Sequence, residues 1–574
     1  MNRSELVVRD IETKKFSDEN SIDPIFQRIL LARDVTTAAQ IDYQLANMLS
    51  LDVIRNLPEA AQLVCSCIRQ QQQILIFGDY DADGATSTAL CVKALKLMGH
   101  EQVDYLMPDR FVDGYGLSLS IAKSIVDIKP DCVITVDNGI ASHDGIKLLR
   151  DNKIEVIVTD HHLPADELPD ASVIVNQNAW TDVSEGRNLA GVGVAFYLML
   201  AVRRELRQQG WFAAPRTEPN LAICLDLVAI GTVADLVPLD YHNRILVNEG
   251  LRRIRSGACG QGLKTLIEIS SKHLDNFSST DIAFSVAPRI NAAGRLDDMT
   301  IGVQCLLADD PVQAHAFANE LDNINQVRKD LQQQMALEAQ QKLKELDQQV
   351  LDSQLTIVLF QADWHEGIVG IVASKLKEKY HRPCIVFATA ENGELKGSGR
   401  SIAGIHLRDM LDVVDKRNPG AILKFGGHAM AAGLSLQADS LAVFTRGFEQ
   451  AINEFVDPAC FDTDIECDGE LEAQHFSLDF ANQLQNLSPW GQRFPMPSFV
   501  GEFDVLSQRV LGGKHLKLAL GLESNSGVVI DAIAFFQPKA ILEQSHEQIR
   551  IHYELNLNRF RDIDSVQLLI RDFV

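Results

Sequence analysis

No run of apolar residues in this chain approaches the ~20 needed to cross a bilayer, and the amino terminus, MNRSELVVRDIETKKF, is charged where a secretory signal would carry an apolar core. Positive charge is scarce: 53 lysines and arginines face 78 aspartates and glutamates, a net charge of -25 that argues against a surface wrapping duplex DNA through bulk electrostatics. A nucleic-acid enzyme is not excluded, because part of the acidic excess belongs to a metal site and local arginines can track a strand. Zinc-ligand spacing is missing too, since of ten cysteines only Cys65 and Cys67 lie close together and no second pair follows. These are expected to be buried free thiols in a reducing compartment, and the protein to be cytoplasmic.

What the chain does have is 574 residues of ordinary globular composition, enough for three or four domains. One stretch organises it, ILIFGDYDADGATST from Ile74 to Thr88. Ile74 to Phe77 reads as a buried strand, and at its exit Asp79, Asp81 and Asp83 arrive at alternate positions before a glycine. So many like charges repel one another and shift towards protonation unless a cation sits among them. Two later stretches repeat the design: Val133 to Val136 ends in Asp137-Asn138-Gly139, and Val156 to Val158 leads through Thr159 into Asp160-His161-His162. All three motifs fall where a parallel strand gives way to a loop, the edge of an open α/β sheet where ligands bind.

The rest divides by texture. Residues 1–50 look like a peripheral segment. Residues 51–308 alternate strands and helices as a doubly wound parallel sheet does, and their apolar segment Leu225 to Ala234 delivers Asp235. Residues 309–352 carry helical spacing through Phe317, Leu321, Ile324, Leu331, Met335, Leu343 and Leu346, with Asp310 as cap and Pro311 at the first helical position, and read as one long connecting helix. Residues 353–456 begin a second α/β domain with the strand Leu355 to Phe360, the Trp364-His365-Glu366-Gly367 turn and two glycine-rich turns, Gly397-Ser398-Gly399-Arg400 and Gly426-Gly427-His428. Residues 457–574 turn to strict alternation with Gly-Gly and Asn-Ser-Gly turns, the pattern of a small β-barrel of the oligonucleotide-binding (OB) type or a β-sandwich.

Asp-x-Asp-x-Asp-Gly also opens an EF-hand loop, but the twelfth position counted from Asp79 is Leu90 rather than glutamate, and a strand precedes it. A phosphotransferase with a nucleophilic aspartate would have no use for an Asp-His-His cluster. The mixed oxygen and nitrogen donor set suits manganese, or magnesium where oxygens dominate.

GDYDADG, VDNG, Asp160-His161-His162, the Asp235 segment and the Gly-Gly-His turn together resemble the DHH phosphoesterase superfamily. WHEGIVGIVASKL, PRINAAGR and the GSGRS turn make the chain most similar to that superfamily's bacterial single-strand-specific 5′→3′ DNA exonucleases. The resemblance implies a DHH catalytic domain, a DHHA1-type substrate-binding domain and a C-terminal OB-fold DNA-binding domain. It further implies two divalent cations, Mn2+ or Mg2+, bridged by Asp137. One would be bound by Asp81 with Asp79 nearby, the other by Asp83, His161 and Asp235. Many small superfamily members have a histidine where this chain has Phe77, and Asp79 is the expected substitute. Asp160 would orient its neighbours, and His162 would orient substrate or stabilise the departing oxygen.

For the substrate, Arg110, Arg289, Ser398 and Arg400 resemble the family's 5′-phosphate pocket, Asn291 and Arg295 would hold the next phosphates, and His428 would face the metals. In the barrel, Lys514, His515 and Lys517 are candidate strand contacts, and at least one of Phe535 and Phe536 is expected in the core, because adjacent strand residues face opposite sides. The resemblance implies a monomeric exonuclease of recombination and repair acting on single-stranded DNA with a 5′ end. It also implies a single-strand-binding protein and a RecQ-type helicase as partners, and no membrane. An enzyme acting on small phosphates, or a non-catalytic nucleic-acid-binding scaffold, are the alternatives that the residues leave open.

Overall fold

The computed structural model describes residues 6–17, 22–345, 354–390, 392–462, 464–522, 525–560 and 563–574. It divides into two compact units, Leu6–Asp322 with Glu466–Val574, and Asn323–Ile465.

In the larger unit the apolar runs become the parallel strands β2 (Ile74–Phe77), β3 (Val103–Leu106), β4 (Cys132–Val136), β5 (Glu155–Thr159) and β6 (Val173–Val175), in the order β3-β2-β4-β5-β6. The chain leaves β2 to build one side of the sheet and returns to build the other, so β2 and β4 flank the point where winding reverses. That crevice is where an open parallel sheet binds its ligand. Asp79–Asp83 follow β2 and Asp137 follows β4.

The helix Ala82–Leu97 is buried almost all round, packed against helices Gly191–Gln208 and Leu225–Ala234. This explains why its sequence lacks a polar face. The expected parallel α/β architecture is present.

The same unit carries a closed five-stranded barrel, β13 (Phe499–Leu511), β14 (His515–Leu522), β15 (Asn525–Ala534), β16 (Gln548–Phe560) and β17 (Ile563–Phe573), ordered β13-β14-β15-β17-β16 with β15 and β17 parallel. Closure removes the open edges that a sandwich would keep, and settles the barrel reading.

The amino-terminal residues are not peripheral in packing. Helix Pro24–Leu31, capped by Asp23, buries Ile25, Phe26, Ile29, Leu30 and Leu31, and Phe26 stacks on Phe480 at 5.1 Å. Its polar text misleads because charges there pair internally. Arg33 donates to both oxygens of Asp468 at 2.8 and 3.0 Å, and the short strand β1 (Leu6–Val8) pairs with β12 (Ile465–Cys467).

The long helix runs from Pro311 to Glu345, about 50 Å at 1.5 Å per residue, and the division between the units falls within it. Of the expected 309–352 helix, residues 309 and 310 precede the helix and residues 346–352, Leu346 among them, lie outside the described residues. The smaller unit holds a mixed sheet of β7 (Ile357–Phe360), β8 (Cys384–Thr389), β9 (Leu395–Arg400), β10 (Lys424–Gly427) and β11 (Ala431–Leu436), ordered β10-β11-β9-β8-β7.

Two expected glycine turns are strand instead. Gly397–Arg400 lies in β9, where a Cβ on Gly397 would stand 2.3 Å from the ring of Phe387, so glycine there admits a neighbouring ring rather than a bend. Gly426 and Gly427 end β10, and only His428 onwards turns. Arg289, Asn291 and Arg295 likewise sit on a helix, Ala287–Leu296.

Arg33 and Asp468 are enclosed, with side-chain exposures of 1% and 0%, and Asp468 also pairs with Arg9 at 3.0 Å, so removing Asp468 leaves the Arg33 charge buried without its carboxylate. Asp468→Ala is expected to cost roughly 3 kcal/mol in denaturant unfolding, and a loss below about 1 kcal/mol would contradict this reading.

Candidate metal centre

Three loops and one helix end bring the site together. Asp81 caps helix Ala82–Leu97, its Oδ1 accepting from Asp83 N at 2.9 Å and Gly84 N at 3.0 Å. That leaves Asp83 in the first turn, where its oxygens accept from Gly191 N at 2.7 Å and Val192 N at 2.9 Å, the start of another helix. Gly191 must be glycine, since a Cβ would lie 2.5 Å from that of Asp137. Asp137 itself has a left-handed backbone, φ 63, which turns its carboxylate back over the strand ends. Asp235 caps the carboxyl end of helix Leu225–Ala234.

His161 Nε2 lies 3.1 Å from Asp137 Oδ1 and 3.3 Å from Asp235 Oδ2. Donor atoms of Asp83, His161 and Asp235 all lie within 4.8 Å of one another, as do those of Asp79, Asp81 and Asp137, and those of Asp137, His161 and His162. Asp137 therefore belongs to one group with Asp79 and Asp81 and to another with the histidines.

The electrostatics call for a cation. Burial and then the Asp81 charge push Asp79 up to about 8, and the same causes push Asp83 to about 7 despite two backbone donors. Burial followed by the neighbouring carboxylates holds Asp137 and Asp235 well above the usual range. Buried Asp79 Oδ1 and Asp137 Oδ1 have no hydrogen-bond donor. Oxygens that are dry, crowded and without donors are the donor set a hard divalent cation takes.

Asp160 is different in kind. Its Oδ1 accepts from His161 N, His162 N and His162 Nδ1, and its Oδ2 from Ile140 N. Burial would raise it, but His162 holds it at about 2. Burial likewise opposes the charge on His162, and Asp160 outweighs it, lifting the ring to about 9.

Of the expected substrate residues in this unit, Arg110 lies 3.9 Å over the Tyr80 ring and donates to Gly294 O. Arg289 is tied to Asp322 and Ser285 O, and Asn291 Oδ1 accepts from Ala82 N, bracing the loop that carries Asp81. Arg295 stands near Tyr80. In the smaller unit, Arg400 donates to Ser398 Oγ at 3.0 Å, while His428 N bonds Ala431 O in the turn after β10.

Sequence reasoning missed Tyr115, whose hydroxyl lies 3.1 Å from His162 Nδ1, and Gly191. A tyrosine between Gly114 and Gly116, and a Gly-x-Gly opening an apolar helix, were the available signals.

Comparison with known proteins fits this geometry. The DHH family, N-terminal domain, matches residues 73–232, the DHHA1 domain matches 347–454, and the RecJ OB domain matches 467–572. The chain thus has the fold and acidic centre of the DHH class. It is 44% identical over 565 residues to the single-stranded-DNA-specific exonuclease RecJ of Haemophilus influenzae, covering 98% of each chain, and 43% identical to that of Escherichia coli, covering 96% and 95%. The crystal structure of RecJ in complex with Mn2+ from Thermus thermophilus aligns with a TM-score of 0.80 at 27% identity, over 99% of this chain and 79% of that one. A structure of exonuclease RecJ bound to manganese aligns at 0.60 and 34% identity, over 72% and 98%. The chain belongs to the RecJ family.

Raised carboxylates bind protons on folding, so metal-free protein should gain stability as pH falls from about 8.5 to 6. His162 acts in the same direction: its contribution is complete below its unfolded value of about 6.5 and is lost as pH rises through about 9. Manganese should raise the melting temperature most at the alkaline end, where the carboxylates ionise. Calorimetry in EDTA and in Mn2+ checks this, and a metal-free midpoint that climbs with pH would refute it.

Proposed function

We propose that the protein is a divalent-metal-dependent exonuclease that degrades single-stranded DNA from its 5′ end to mononucleotides, in recombination and repair. The observation that carries this is the meeting of the Asp79–Asp81–Asp137 and Asp83–His161–Asp235 groups at the sheet's switch point, in a chain of the RecJ family. Asp79, Asp81 and Asp137 would hold one cation and Asp83, His161, Asp235 and Asp137 the other. Manganese or magnesium bound there supplies charge neutralisation at the phosphoryl group and water of lowered pKa.

The chain's own residues do the rest. Asp160, held by three N–H groups, fixes the His162 ring through Nδ1, so the proton that His162 exchanges with substrate is the one on Nε2. Kept charged by Asp160, that ring is suited to donate to a phosphoryl or departing oxygen. Arg110 and Arg289, each oriented by a partner within the protein, and Asn291 and Arg295 are the proposed phosphate contacts of the larger unit. Ser398, Arg400 and His428 are those of the smaller, and guanidinium groups suit phosphate because they bond it in pairs.

We infer also that the protein works in the cytoplasm as a monomer, with a single-strand-binding protein and a RecQ-type helicase as partners. The free cysteines and the absence, among described residues, of a helix long and apolar enough to cross a membrane accord with the compartment. The partners rest on the family alone.

Asp137→Ala is expected to abolish manganese-dependent release of nucleotides from 5′-labelled single strands while strand binding stays measurable, and retained turnover would remove its bridging role. Arg400→Ala should lower kcat/KM on 5′-phosphorylated ends more than on unphosphorylated ones, so equal losses would count against the phosphate contact.

A further inference from the structure

The larger unit encloses a polar cavity of about 510 Å³ that no residue of the metal centre or of the proposed phosphate contacts lines, and its size falls in the ~300–1,000 Å³ range of small-molecule sites. Segments far apart in the chain build it. Helix Tyr241–Arg255 contributes Asn248, Leu251 and Arg255, which the helical period puts on one face, and helix Leu478–Asn486 contributes Asn482, Gln485 and Asn486 in the same way. Residues 271–281 form another wall, and β16 and β17 complete the cavity with Asn556, Leu557 and Arg571.

Its cations are unequally matched. Lys272 pairs with Asp281 at 2.6 Å and Arg571 with Glu554 at 2.8 Å, so both are neutralised. Half-buried Arg255 is not. Its Nε donates to Phe277 O at 2.8 Å and its Nη1 to Asn486 Oδ1 at 3.2 Å, both neutral acceptors. Among the described residues no carboxylate is within ion-pair distance of it, and its Nη2 donates to nothing. Burial pushes this guanidinium below the usual arginine value, against the pull of the Asp281 charge. A cation taken out of water without a counter-ion is stabilised by an anion, and guanidinium suits phosphate because it bonds it in pairs.

Around that cation stand six carboxamides, Asn248, Asn276, Asn482, Gln485, Asn486 and Asn556. The side chains of Asn248, Gln485 and Asn556 bond nothing among the described residues. A carboxamide offers a donor and an acceptor side by side, the pairing that matches the edge of a nucleobase. Pro489, Trp490 and Leu557 supply an apolar wall for its face. One open guanidinium serves one phosphate, so the lining suits a free nucleotide and not a chain of them.

We propose that this cavity binds a nucleoside 5′-monophosphate, its phosphate on Arg255 and its base among the carboxamides of helix Leu478–Asn486 and β16. Mononucleotides are also the products of the proposed exonuclease; the cavity's role as a product site rests on that reading, whereas the binding does not. A nucleotide seated there touches a helix of the catalytic domain and the strands of the barrel at once, and so ties the two together.

The test is photolabelling of the full chain with 8-azidoadenosine 5′-monophosphate in EDTA, which withholds the metals, followed by peptide mapping. Label is expected within residues 271–281, 482–490 or 554–571, suppressed by adenosine 5′-monophosphate (AMP). By calorimetry, Arg255→Gln should weaken AMP at least about ten-fold and leave adenosine unchanged, since only the phosphate loses its partner. Gln485→Ala/Asn556→Ala should weaken both. Label confined to the peptides of the metal centre, the lack of any saturable label, or equal affinity of AMP for the parent and Arg255→Gln would overturn the proposal. So would label displaced by an unphosphorylated oligothymidylate, which would put the cavity on the path of a strand. Should Arg255→Gln fail to fold, the labelled positions in the parent protein decide. A parent protein inert on single strands with Mn2+ would sink the nuclease reading alone and leave the labelling result as it stands.

Discussion

Carboxylates repel, and here several are gathered where water cannot screen them. Asp79, Asp83 and Asp137 are buried to 3% exposure or less; Asp137 groups with Asp79 and Asp81, and Asp83 with His161 and Asp235, where two adjacent parallel strands end. Such an arrangement opposes folding, and much of the surrounding structure offsets that opposition. The amides of Gly191 and Val192 face Asp83, the start of helix Ala82–Leu97 faces Asp81, and His162, kept charged by Asp160, carries compensating charge. What remains uncompensated is affinity for a divalent cation. The sheet topology makes this possible, since only where winding reverses do two strand ends open into a crevice without a helix crossing between them.

Much of this could be read from the chain before folding. Ile74 to Phe77, Val133 to Val136 and Val156 to Val158 announce themselves by apolar, β-branched text with acid soon after, as buried parallel strands do. Asp83, Asp137, His161 and Asp235 each stand out by coming after an apolar run, and it was the family resemblance that joined them as a set. Phosphate contacts were harder. Asn291 reads as a phosphate ligand in INAAGR, and its Oδ1 also braces the Asp81 loop, a second role that spacing alone does not show. The glycines of β9 read as a turn because a sequence does not show that the Phe387 ring must fit against Gly397. Phe535 and Phe536 are both exposed, at 46% and 73%, against the expectation that at least one lies in the core: Phe536 is left-handed, φ 52, and alternation predicts the side a residue faces only while φ stays in the extended region. Tyr115 reaches His162 from a separate loop, and its place between Gly114 and Gly116 marks a turn without naming that partner.

The bonds from Asp83 to Gly191 and Val192 span more than a hundred residues of chain. A polypeptide still emerging from the ribosome has its first aspartates long before the helix that orients them, and Asp235 arrives later still. Until then the site has neither its geometry nor its affinity for metal. A chain not yet extended past Asp235 would therefore lack part of the acidic group and, with it, the means to trim single strands from their ends.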